Sequence, residues 1–187
     1  MIKYTTAKTI SDLRQIIDLQ AANLPANISE EEFHKEGFVT VKHDLNLLKE
    51  MNGITPHIIA KKGEKIIGYT LSMNKVFQSR IPVLKPMFEQ IDALSFEDNP
   101  LSCADYIIMG QVCIAKGYRG QGIFRGLYHE MKSSLSSKYP YVITEIDYLN
   151  KRSLKAHQKV GFEQLHEYHS ADEKHWIIVL WNWVSNS

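Results

Sequence analysis

The stretch Gly117–Gly126, GYRGQGIFRG, constrains the fold of this chain more than any other. It holds four of the ten glycines and follows the strand-like run QVCIA. It leads into LYHEMKSSL, and Ile123, Leu127, Met131 and Leu135 fall at four-residue steps, the spacing of an amphipathic helix. A strand, a glycine-rich turn and a helix in that order leave the first helical amides without intrahelical partners. The positive end of the helix dipole then points at the turn. Gly120 and Gly122 place no Cβ in front of those amides, so the local pattern suits an anion, phosphate above all. A turn that only joins strand to helix has the same spelling.

Two familiar phosphate-binding loops do not fit. A dinucleotide fingerprint needs G-x-G-x-x-G, and here Gly126 comes one residue too late after Gly120 and Gly122. A Walker loop needs Gly-Lys followed by Ser or Thr, which the stretch lacks.

The remaining sequence reads as a mixed α/β chain. IKYTTAKT predicts a first strand, and DLRQIIDLQAANL an amphipathic helix with Ser11 as its N-cap. Ser29 and Glu32 form a capping-box pattern that opens a second helical region running to LNLLKEMNG, where Asn-Gly signals a stop. HIIAKKGEKIIGYTLSMN predicts a hairpin turning at Lys62-Gly63-Glu64. Val76–Asp105 follows, long for a connection, with PMFEQIDAL as a short helix inside it. After DYIIMGQVCIA and the glycine stretch come the strand YVITEIDYL, a helix over Asn150–Val160 ending at Gly161, and a final hairpin turning at SADEK. Strand–helix–strand crossovers in the second half imply a mixed sheet within a single domain, 1–187.

Charge and composition remove several functions. Lysine plus arginine (22) nearly cancels aspartate plus glutamate (21), so no global field favours nucleic acid or an anionic membrane. Two cysteines, Cys103 and Cys113, are too few for a disulfide framework or a zinc site. The opening MIKYTTAKTISDLRQ has no apolar core of a secretory signal, and WIIVLWNWV is about half the length of a membrane span. The expectation is a cytoplasmic protein. His166 and His169 fall on opposite faces of a strand, so no metal site is expected there. Trp176, Trp181 and Trp183 are expected to fill the core or a subunit contact, such as a homodimer, with a role at the substrate as the second reading.

Arg119-Gly120-Gln121-Gly122-Ile123-Phe124, with Tyr118 before it, resembles the signature turn of the GNAT superfamily of N-acetyltransferases. That pattern is Arg or Gln, two residues, Gly, one residue, then Gly or Ala, and Phe124 is the departure from it. A second stretch, NKRSLKAHQKVGF from Asn150 to Phe162, is similar to the family's later motif and lies at a suitable distance. The likeness is clear over about residues 106–162. It implies a GNAT-like α/β fold: a mixed, mostly antiparallel central sheet flanked by helices, with splayed parallel strands in the middle.

The resemblance implies acetyl-CoA as cosubstrate, its pyrophosphate on the backbone of Arg119, Gly120, Gln121, Gly122, Ile123 and Phe124. Val112, Cys113 and Ile114 would pair with the pantetheine arm, and Asn150 and Ser153 would lie beside it. The implied acceptor is a primary amine on a small molecule, peptide or protein, attacking the thioester directly. His157 occupies the slot where many members carry a proton-donating tyrosine. It is either the general acid or a hydrogen-bonded helix histidine that shapes the pocket. Glu145, on a central strand, is the candidate base, with a water relay as its rival. Cys113 lacks an adjacent histidine and reads as a small buried hydrophobe, not as an acyl carrier. The acidic Glu89, Asp92, Glu97 and Asp98 of the long segment are candidates to attract a cationic amine. A non-catalytic sensor of coenzyme A is the alternative function, kept open by His157 and by the lack of a carboxylate over Ile107–Ile114.

Overall fold

Alternation and helical periodicity account for most of the elements that the described residues form. The computed structural model describes residues 1–27, 39 and 42–184. In chain order these residues form β1 (Ile2–Thr6), α1 (Ile10–Ala21), α2 (Leu45–Ile54), β2 (Ile58–Lys62) and β3 (Lys65–Asn74). Then come α3 (Lys85–Asp92), the short β4 (Ser95–Phe96) and β5 (Asn99–Pro100), β6 (Tyr106–Ile114) and α4 (Ile123–Leu135). The chain closes with β7 (Tyr141–Asp147), α5 (Lys151–Val160), β8 (Glu163–His169) and β9 (His175–Asn182). Seven strands hydrogen-bond in the order β1-β2-β3-β6-β7-β9-β8. The sheet is mostly antiparallel, with one parallel pair in which Tyr106–Ile108 of β6 lie beside Tyr141–Ile143 of β7. This is the mixed α/β architecture read from the sequence.

Helix starts follow capping chemistry more than apolar onset. Thr9, not Ser11, caps α1: its side chain accepts from the Asp12 amide while the Asp12 carboxylate accepts from the Thr9 amide. That reciprocal box satisfies two donors at once, which Ser11 cannot do from inside the helix. Asp44 caps α2, which runs through Asn52-Gly53 to Ile54. The Ser29–Glu32 capping box lies outside the described residues.

The described residues group into two compact units. One comes from Met1–Met73 and Met109–Leu135, the other from Asn74–Ile108 and Ser136–Ser187. In the first, β2 and β3 pair so that Ile59 and Tyr69 share one face while Ala60 and Gly68 share the other. On the first face, Ile59, Tyr69, Leu71 and Cys113 are buried with Leu13 and Ile16 of α1 and Leu48 of α2. On the second, α4 lies so close that a Cβ at Gly68 would stand 3.3 Å from both Ile123 Cγ2 and Leu127 Cδ1. Gly68 thereby sets how near the helix that follows the glycine turn approaches the sheet.

In the second unit, β7 is covered along its length by β9, from Tyr141 opposite Asn182 to Asp147 opposite Trp176. β8 pairs with the other edge of β9 and shifts register between Gln164 and His166. The long segment after Val76 is built, not slack: it contains α3 and the β4–β5 hairpin and buries Phe77, Met87, Phe88, Ile91, Phe96 and Leu101. No helix among the described residues is long and apolar enough to cross a membrane.

Candidate active site

In the first unit, the end of β6 leads through a 3-10 turn, Lys116–Tyr118, into the glycine pair and α4. Gly120 (φ 75°) and Gly122 (φ 78°) both hold the left-handed conformation that favours glycine, and a Cβ at either would meet no atom within 4 Å. The requirement is therefore conformational, and the space before the turn stays open. The first bond of α4 runs from the Gly126 amide to the Gly122 carbonyl. The amides of Ile123, Phe124 and Arg125 thus belong to the first turn, at the positive end of the helix.

Arg119 braces this turn from behind. Its Nε donates to the Ile114 carbonyl at 3.2 Å and its Nη2 to Asn23 Oδ1 at 2.6 Å, tying the turn to the end of β6 and the residues after α1. Gln121 closes the turn by donating to the Gly117 carbonyl at 3.1 Å. Ile123 is buried under the helix, whereas Phe124 is half-buried with its ring 4.9 Å from that of Tyr128, one turn along α4. The residues pressed on the sheet at Gly68 are Ile123 and Leu127. Beside the turn opens a cleft of about 440 Å³ lined by Asp18 of α1 and Asn23 just after it, with Lys65 and Lys116. Cys113 is buried, and burial pushes its thiol up to about 11, so it stays protonated at neutral pH. Val112 and Ile114, its neighbours on β6, are half-buried.

The second unit holds Glu145, Asn150, Ser153 and His157. Asn150 caps α5: its Oδ1 accepts from the Ser153 amide at 3.0 Å. His157, one turn further on, is buried, and its Nδ1 lies 2.8 Å from the Ser153 carbonyl. A carbonyl only accepts, so Nδ1 carries the proton. Burial pushes this histidine down to about 4, partly offset by that bond, leaving a neutral ring at neutral pH. Its ring lies edge-on to Phe162 at 5.1 Å, and Phe162 meets Trp181 at 5.6 Å. Gly161 ends α5 at φ 124°, with Trp181 Nε1 only 2.6 Å from where a Cβ would stand. The Gly-Phe close of the second motif is therefore a packing feature.

Glu145 sits on the other face. Trp181 pairs with Val142, three residues from Glu145, so strand alternation puts Glu145 on the face away from Trp181 and His157. There its Oε2 accepts from the Tyr168 hydroxyl at 2.6 Å. Burial pushes the Glu145 carboxyl up to about 7, with the Tyr168 bond pulling the opposite way. The two titratable candidates thus do not meet each other. Three supporting residues escaped the sequence reading: Asn23, Gly68 and Tyr168. Each works through a partner distant in sequence, and only strand register or packing reveals them.

The acidic residues of the long segment serve local structure. Asp92 pairs with Lys75 at 3.4 Å and Glu89 with Lys85 at 3.6 Å, while Glu97 and Asp98 form the β4–β5 turn at φ 48° and 64°. A cleft of about 430 Å³ along this segment is lined by Lys75 and Lys85, not by carboxylates.

A model of the acetyltransferase (GNAT) family matches residues 13–162. No curated protein matches the chain in sequence. Among solved structures, the chain is similar to the ribosomal-protein-S18-alanine N-acetyltransferase of Escherichia coli, with 11% identity and TM-score 0.64, covering 100% of this chain and 97% of that one. It is also similar to a chain in the NatC complex bound to Gag peptide and CoA, with 13% identity and TM-score 0.63, covering 97% and 98%. A third is yncA of Salmonella typhimurium, solved with its cofactor acetyl-CoA, with 12% identity and TM-score 0.63, covering 100% and 96%. At these identities the likeness is one of fold.

Proposed function

This chain belongs to the acetyltransferase (GNAT) family, and we propose that it transfers the acetyl group of acetyl-CoA to a primary amine, with residues 1–187 serving as one acetyltransferase domain. The observation that carries the reading is the pair of left-handed glycines, Gly120 and Gly122, opening α4 with clear space before them. Pyrophosphate fits that cradle: the backbone from Arg119 to Phe124 supplies donors, the helix dipole supplies a positive end, and no Cβ intrudes. Val112, Cys113 and Ile114 would offer their backbone to the pantetheine arm.

When bound, acetyl-CoA supplies an activated thioester carbonyl. The chain's own task is to hold it and to manage protons. An ammonium has no lone pair, so a base must act first. Glu145, raised to about 7 by burial, is about half ionised at neutral pH and strong enough to take that proton. His157, neutral and donating its Nδ1 proton to the Ser153 carbonyl, shapes the motif helix. Water then supplies the proton that the departing thiol needs. Cys113, protonated and buried, leaves direct attack as the route. The acceptor is an amine on a peptide, protein or small molecule; the similar Escherichia coli enzyme is a ribosomal-protein-S18-alanine N-acetyltransferase, and the NatC complex was solved bound to Gag peptide and CoA. The two free cysteines suit the cytoplasm.

Two measurements test this. Acetyl-CoA and coenzyme A should raise the melting temperature while ATP should not. Thiol release should depend on an added primary amine and yield the acetylated amine. Stabilisation by ATP alone would overturn the cofactor assignment, and cofactor binding with no transfer to any of a broad amine and peptide panel would overturn the enzyme reading in favour of a sensor.

A further inference from the structure

We propose that Tyr168 is a positioning residue for Glu145, holding one carboxylate oxygen so that the other receives the proton of the acceptor amine. The inference rests on the amine-acetylation reading above and deepens it.

The geometry is specific. Tyr168 stands on β8 and Glu145 on β7, with β9 between them. Trp176 of β9 is the direct neighbour of both Tyr168 and Asp147, and Ile178 is the direct neighbour of both Glu145 and His166. These residues therefore share one face, and the Tyr168 hydroxyl crosses β9 diagonally to reach Glu145 Oε2 at 2.6 Å. Tyr168 itself is held by its hairpin. The Ser170 amide donates to the Lys174 carbonyl to close the turn, and Trp176 Nε1 donates to Ser170 Oγ at 3.2 Å.

The bond does two things. It fixes the carboxylate plane, which leaves Oε1 to meet the amine. It also favours the ionised form against burial, because a phenol donates to a carboxylate more strongly than to a carboxylic acid. The other titratable groups on this face are Tyr141 and Asp147 on β7, the latter accepting from the Leu149 amide, and Glu163 and His166 on β8; Asp172 of the β8–β9 turn acts on Tyr168 through its charge, and β9 contributes the uncharged Trp176, Ile178 and Leu180. In the reaction an N–H bond of the ammonium breaks as an O–H bond forms on Oε1. The freed lone pair forms the C–N bond as the C–S bond breaks. The second amine proton passes by water to the departing sulfur, and the proton on Glu145 leaves to solvent.

The test follows the carboxyl directly. Carbon-13-labelled glutamate reports the titration of Glu145, assigned by the resonance lost in Glu145→Gln. Its midpoint should lie at about 7 in the parent chain. Tyr168→Phe should raise the midpoint by about one unit, the worth of one hydrogen bond to a charged group. Tyr168→3-fluorotyrosine, which keeps the ring and strengthens the donor, should lower it and serves equally if the Phe variant does not fold. With acetyl-CoA and a pool of short peptides bearing free amines, kcat of Tyr168→Phe should fall about fivefold at pH 7 and recover to near the parent value at pH 9. A merely structural tyrosine would lower kcat equally at all pH values and leave the midpoint in place, overturning the proposal while acetyl transfer itself stands. Parent-like turnover in Glu145→Gln would overturn the base and, with it, the role of Tyr168.

Discussion

Arg119 Nη2 donates to Asn23 Oδ1 at 2.6 Å across 96 residues of sequence, and through this bond the turn that opens α4 is anchored to the residues after α1. The guanidinium also holds the Ile114 carbonyl, so one side chain fixes the turn against two elements of its unit. Both bonds fix the direction in which the backbone amides of the turn point.

Asn23→Ala should therefore weaken acetyl-CoA binding without touching the cofactor. A charge-assisted hydrogen bond contributes about 1.5–3 kcal/mol, so calorimetry should show Kd rising about tenfold. An unchanged Kd with the fold intact would mean that the turn holds its shape unaided.

Gly161→Ala should destabilise the chain. A Cβ there meets Trp181 Nε1 at 2.6 Å, and Trp181 is buried between Phe162 and Trp183, with ring centroids 5.6 and 5.7 Å away. Strain at φ 124° adds to the clash. The combined loss should be about 1–3 kcal/mol, read as a melting temperature lower by roughly 2–4 °C for each kcal/mol. A stability equal to the parent would show that Trp181 can move.

Acid should loosen the fold by forcing charge onto buried histidines. His57 is fully buried, its Nε2 donating to the Leu48 carbonyl and its Nδ1 accepting from the Ser72 amide. Burial pushes it from an ordinary 6.5 down to about 3. Between those values the unfolded chain binds a proton that the folded chain refuses, so stability is complete above pH 6.5 and falls as pH drops toward 3. The slope approaches about 1.4 kcal/mol per pH unit for this one group. His157 adds to the same trend.

Glu145 works against that trend. Its carboxyl rises from an ordinary 4.5 to about 7, so between these values the folded chain holds a proton that the unfolded chain has released. Its contribution is present below pH 4.5 and lost as pH rises through 7. Glu145→Gln should therefore make the acid loss between pH 7 and 4.5 steeper in urea titrations. The same variant should remove the limb of kcat near pH 7 and lower kcat by about 10²–10⁴-fold. Identical urea midpoints for parent and variant at pH 4.5, 6 and 7.5 would contradict the raised carboxyl.

What the sequence reveals and what it hides divide along a physical line. The Gly120–Gly122 turn, the amphipathic α4 and the helix α5 within the Asn150–Phe162 motif are legible because local spacing sets them. The α1 cap is missed because apolar onset points to Ser11, whereas the reciprocal bond between Thr9 and Asp12 decides the start. Glu145 is legible as a carboxylate in an apolar strand. Tyr168 is not, because its place opposite Glu145 depends on the pairing of three strands and on the register shift after Gln164. Nor does sequence show that Glu145 and His157 face opposite ways, since that follows from α5 packing on the Trp181 face.

The most direct test of the account is a crystal structure of the chain with acetyl-CoA. The account predicts pyrophosphate oxygens about 2.7–3.2 Å from amide nitrogens of the Arg119–Phe124 turn, those of Gly122, Ile123 and Phe124 among them. A bound cofactor whose pyrophosphate touches none of the Arg119–Phe124 amides would contradict it.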